Sequence, residues 1–155
     1  MLDALLAKLA TITGGSNFYH TVAFAGIGHD VGAIQPVAYP AVFLGETSEV
    51  GQYSQVARDD RTLWLNTWYW DVPVFGVIAD PGMGDDAYRS LLKLAADIHR
   101  AVLTDHTLDG TCIRVEVNGW TILGPQTKTQ GRPWVGVLVR AVFRTRDTEM
   151  VSGPV

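Results

Sequence analysis

Between Asp85 and Val117 the spacing of apolar and polar positions changes period, and that change outlines the fold. Ala87, Leu91, Ala95, Ile98 and Val102 recur at three- and four-residue steps, and Leu92 and Leu94 widen the stripe. Arg89, Lys93, Asp97 and Arg100 occupy the remaining face, so the spacing predicts an amphipathic helix with one side on a core. Asp85 and Asp86 sit where carboxylates favour the positive dipole end, and Arg100 lies towards the opposite end, where a cation helps. After the turn chemistry of Asp109-Gly110, Ile113, Val115 and Val117 alternate with Cys112, Arg114 and Glu116, the period of a half-buried strand. Asn118-Gly119 predicts a two-residue hairpin turn that pairs Val117 with Trp120 and Val115 with Ile122. A polar loop from Gly124 to Pro133 then leads to a strand in which Val135, Val137, Val139, Ala141 and Phe143 share one face and Arg140 and Arg144 the other.

Upstream, Leu2, Leu5, Leu6 and Leu9 form a helical stripe that Gly14-Gly15 stops. Phe18 to Phe24 reads as a strand, the glycines and prolines from Gly26 to Pro40 as an irregular connector, and Ala41 to Leu44 as a short strand. Glu46 to Asp60 is polar and long for a small domain, the signature of a contact loop. Thr62 to Ala79 has the strongest β composition. There Leu63, Leu65 and Tyr69 alternate with Trp64, Trp68 and Trp70, and Pro73 marks a bend or an edge. The expected class is α+β: a mostly antiparallel sheet of four or more strands, with the N-terminal helix and one long amphipathic helix on one face. Two helices are too few to cover both faces, so the second face is left for something else.

Composition narrows the function classes. One domain, residues 1–155, fits the length, with a possibly flexible tail at 149–155. The hydrophobic share is 47% against 18% charged, which leaves apolar surface for partners. A formal net charge of −4 argues against a grip on nucleic acid. Cys112, the single cysteine, falls on the expected polar side of a strand and excludes an internal disulfide or a thiolate cluster. Val72 to Ala79 is too short to cross a bilayer, and Met1 to Ile12 lacks the features of a secretion signal, so the protein is expected to stay in the cytoplasm of the cell that makes it.

Chemistry is sparse. His99 and His106 straddle the expected helix end, so a shared metal is unfavourable, and Asp97 is two residues from His99 on a different side of the helix, an expected solvated face. His29-Asp30 in the Gly-rich connector lacks a third group, and His20 reads as a strand residue. There is no nucleophile elbow and no dinucleotide fingerprint, so neither a catalytic residue nor a cofactor or metal is expected. The tryptophans at strand spacing read as a buried sheet face or a subunit interface.

The order of elements resembles the tail terminator, or tail completion, proteins of long-tailed bacteriophages. The features that carry the resemblance are Leu2-Asp3-Ala4-Leu5-Leu6, Tyr39-Pro40-Ala41-Val42-Phe43, the aromatic run Leu63 to Trp70, Leu91 to Leu103, the Asp109-Gly110 step and the strand from Val135 to Arg144. It implies a non-enzymatic virion protein, assembled in the host cytoplasm, whose hexameric ring sits at the head-proximal end of the tail. Its expected partners are further copies of itself, the major tail tube protein and the head-tail connector, with genome DNA passing through the lumen without specific binding. The expected interface residues are Trp64, Trp68 and Trp70 together with the loop Gln126, Thr127, Lys128, Thr129, Gln130 and Arg132. Another head-to-tail joining protein is the nearest alternative, and a small enzyme using His29 and Asp30, or His99 and His106, is a more distant one.

Overall fold

The computed structural model describes residues 1–28, 38–45, 48–50, 65–79, 84–124 and 131–146, and for 48–50, 65–68 and 144–146 it describes the backbone alone. The chain runs α1 (Leu2–Ala10), β1 (Phe24–Ile27), β2 (Ala41–Leu44), β3 (Ser48–Val50), β4 (Leu65–Val77), α2 (Asp85–Leu103), β5 (Arg114–Leu123) and β6 (Trp134–Arg146). The strands form one six-stranded sheet in the order β1-β2-β4-β6-β5, with β3 also paired to β4. Only β1 and β2 run parallel, so the α+β, mostly antiparallel class read from the pattern is the observed one.

β4 and β6 pair along all 13 residues, and their alternation divides the molecule into two faces. Trp70, Val72 and Val74 of β4 share one face with Val135, Val137, Val139 and Ala141 of β6, and both helices cover it. α2 contributes Leu91, Leu94, Ile98 and Val102 to this core, as its apolar stripe requires, and α1 adds Leu5 and Leu9. Gly76 makes the close approach possible, because a Cβ there would lie 2.7 Å from Leu94 Cδ2. On the opposite face a smaller cluster of Ala41, Phe43 and Val77 packs with Phe24, Tyr39 and Trp134. Phe75 meets the Trp134 ring edge-on at 4.8 Å. Further along this face Arg140 holds Asp71 through two hydrogen bonds, of 2.6 and 2.8 Å, directly across the β4–β6 ladder.

Several local expectations change. Asn118-Gly119 closes no hairpin. Val117 pairs with Val139 and Trp120 with Val137, so the two residues form a bulge inside the continuous strand β5. Gly119 takes φ +113°, open to glycine and strained for other residues. The extra residue explains why the apolar phase switches from odd to even positions. A tight turn and a bulge both produce that switch on one face, and only the partner strand distinguishes them. Pro73 lies within an interior strand and not on an edge: β2 pairs with Val74–Val77 and β3 with Tyr69–Asp71. The Pro73 carbonyl accepts the Gly45 N–H on that flank, so the missing donor falls at the gap between the two short strands. The first strand lies at Phe24–Ile27, downstream of Phe18 to Val22, and part of the expected contact loop is β3. α1 ends at Ala10 with Thr11 as its C-cap, ahead of Gly14-Gly15.

The turn after α2 is built on Asp105. Its carboxylate accepts the N–H groups of Asp109 and Thr107 and the Thr107 hydroxyl, which together hold it below the ordinary carboxylate range. Lys8 of α1 reaches across to both Asp109 and Asp105, at 3.1 and 3.3 Å. A depressed carboxyl favours the folded state above its unfolded value of about 4, and this contribution disappears as pH falls through the folded value. The stability difference between wild type and Asp105→Asn, from urea midpoints, should therefore be constant near neutrality and shrink below about pH 4. Gly119→Val should lower stability by about 1–3 kcal/mol through the bulge torsion, measured as a shifted urea midpoint with unchanged slope.

Candidate functional site

A row of polar side chains joins α2 to the segment preceding β1. Ser90 and Asp97 are seven residues apart on α2, two turns along one flank of its apolar stripe. Asp97 is 0% exposed, a correction to the solvated position expected for it. Its carboxylate accepts the N–H groups of Tyr19 and His20, both at 2.9 Å, and contacts His20 Nδ1 at 3.0 Å. The other ring nitrogen, Nε2, lies 3.0 Å from Ser90 Oγ. Arg100 donates to the Asn17 carbonyl, and the Tyr19 ring lies beneath Lys93 Nζ at 5.6 Å and Arg100 Cζ at 6.0 Å. The flank Ser90, Lys93, Asp97 and Arg100 thus clasps residues 17–20 to the helix.

This geometry fixes hydrogen-bond roles. An ionised carboxylate only accepts, so the neutral His20 ring carries its proton on Nδ1 and offers the Nε2 lone pair to the Ser90 O–H. Asp97 is sealed, while the His20 side chain, 14% exposed, and Ser90 are half-buried. A buried carboxyl group, an oriented imidazole and a half-buried hydroxyl stand in line.

Of the residues anticipated from sequence, Trp70 lies half-buried on the helix-covered face with its ring edge-on to Phe143 at 6.2 Å. Its side chain therefore contributes to the subunit's own core margin. Trp68 lies in β4 opposite Phe143, its side chain outside the described residues, as are Trp64, Gln126, Thr127, Lys128, Thr129 and Gln130. Arg132 stacks over the Tyr39 ring at 4.4 Å and donates to the Ala79 carbonyl at 3.3 Å. His29 and Asp30 also lie outside the described residues, whereas His99 and His106 are exposed to either side of the α2 terminus. Cys112 is buried in the main core and not on a polar strand face. Burial first, and the nearby Asp105 second, raise its thiol pKa, which disfavours the reactive thiolate.

The large apolar residues left exposed among those described are Tyr19, Ile27, Tyr88, Ile113 and Trp120. Three of them mark the sheet's outer edges: Ile27 ends β1, Ile113 immediately precedes β5, and Trp120, 53% exposed, follows its bulge. The open face is less bare, because the aromatic cluster fills one end and the Arg140–Asp71 pair occupies the other. Among the described residues the exposed large apolar side chains of the sheet lie along its edges.

No protein-family model matches the chain, and a search of curated proteins also finds no match. The relay of Ser90, His20 and Asp97 went unnoticed in the sequence because His20 is 77 residues from Asp97. The seven-residue spacing of Ser90 and Asp97 beside the apolar stripe was the available signal. Asp97→Ala strands two backbone donors and an imidazole at a sealed site, so it should cost about 3–5 kcal/mol in urea unfolding. A loss below about 1 kcal/mol would show that solvent replaces the carboxylate.

Proposed function

We propose that this chain is a structural virion protein of the tail-terminator type, which assembles as a hexameric ring at the head-proximal end of a long phage tail. There it caps the tube, stops its growth and presents the joining surface to the head-side connector. The observation that carries the reading is the pair of apolar outer edges. Among the described residues β1 pairs only with β2, and β5 only with β6, while Ile27 and Trp120 stand exposed on these two strands. Two different edges on one subunit suit a heterologous contact, which closes into a ring when the rotation between copies is right. Both helices lie on one side, so one face of the sheet remains available to neighbours along the tail axis.

Charge fits the role. A net charge of −4 per subunit, repeated around a ring, repels the nucleic-acid backbone and disfavours sticking by DNA in transit. Self-association and joining to the tube need no chemistry at the subunit, and the Ser90 relay is not required for either.

Native mass spectrometry tests the reading directly. The wild-type chain should form hexamers, alone or when tail tubes are added, and Trp120→Glu should move the population to monomers at the same concentration while leaving the far-ultraviolet spectrum intact. A chain that stays monomeric and never joins tube ends removes the proposal.

A further inference from the structure

We propose that Ser90 is a nucleophile and that this site cleaves small carboxylic esters, an activity that goes beyond the assembly reading and does not depend on it. Residues 17–20 are already docked on α2 by the Asp97 carboxylate with the amides of Tyr19 and His20, by the Arg100 bond to the Asn17 carbonyl and by the cations over the Tyr19 ring. The imidazole is surplus to that task. It nevertheless bridges Asp97 and Ser90 with contacts of 3.0 Å at each nitrogen, the order of groups that activates a hydroxyl for acyl transfer. Ser90 and His20 are both partly exposed, so a substrate can reach the hydroxyl, whereas Asp97 is sealed.

The chemistry balances with water as the only co-reactant. Ser90 Oγ forms a bond to the ester carbonyl carbon as its proton passes to His20 Nε2. The carbon–oxygen bond to the alcohol then breaks, and His20 returns the proton to the departing oxygen. Water, giving a proton to the same nitrogen, attacks the Ser90 ester, and the acid leaves as Oγ recovers the proton. Lys93 lies three residues beyond Ser90 on the same helix flank, and its ammonium meets negative charge developing on the carbonyl oxygen. Ser90 and His20 act on the substrate, while Asp97 is a positioning residue that sets the imidazole tautomer.

A fluorophosphonate probe followed by peptide mass mapping tests the assignment on the intact chain. Folded wild type should acquire the adduct on Ser90, and it should release p-nitrophenol from p-nitrophenyl acetate. Ser90→Ala should lose both, and His20→Gln should slow labelling by about 100-fold with the circular dichroism spectrum unchanged. Asp97→Asn should slow the rate per folded molecule, which a purely architectural carboxylate would leave alone. The proposal is overturned if Ser90 labels no faster in the native protein than in urea, or if Ser90→Ala retains full ester cleavage. Ring formation is read separately, by mass, so either result stands apart from the assembly reading.

Discussion

The full-length antiparallel ladder between β4 and β6 is the constraint on which the rest of the molecule depends. It joins segments far apart in sequence, and its pleat assigns every later element to a side. A slip of β4 by one residue against β6 would turn Val72 and Val74 outwards, bring Asp71 beneath α2 and part it from Arg140. Burial of the valines and the bidentate ion pair across the ladder favour the same register from opposite faces. The ion pair alone is a modest contributor because Arg140 remains partly exposed, and the apolar face dominates.

From this register follows the position of α2, and from α2 that of the Ser90 row. Gly76 in β4 lets Leu94 approach the sheet, which brings the helix flank beside the segment before β1. Asp97 then takes up two backbone amides that would otherwise lack partners at the boundary between helix and strand. A backbone docking site and a row of proton-exchanging groups are built from the same carboxylate. Stability and chemistry are therefore coupled at this position.

How much of this was legible in the residues depended on the range of each interaction. The stripe of Ala87, Leu91, Ile98 and Val102 gave α2, and the alternation from Val135 to Phe143 gave the core face of β6, because both are local periods. Asn118-Gly119 misled because a turn and a bulge share their residue preferences, and the choice rests on a partner strand that local pattern does not name. Asp97 looked solvated because it borders the apolar stripe. Its burial comes from residues 17–20, which no helical wheel contains. Trp70 fell on the helix-covered side for a related reason: both faces of β4 are apolar, and alternation alone does not say which one α2 occupies.

The kink at Asn118 and Gly119 has a consequence for solubility before assembly. Among the described residues β5 pairs with no second strand beyond Val115, whose N–H the His106 carbonyl accepts, and an unpaired margin invites any extended peptide to add on. With two residues opposite one, the amide spacing is broken near its centre, so a flat intruding strand finds matching donors and acceptors on only half the margin. A neighbour shaped to the offset avoids this penalty, and runaway stacking of sheets into fibres is held back by a single misplaced amide.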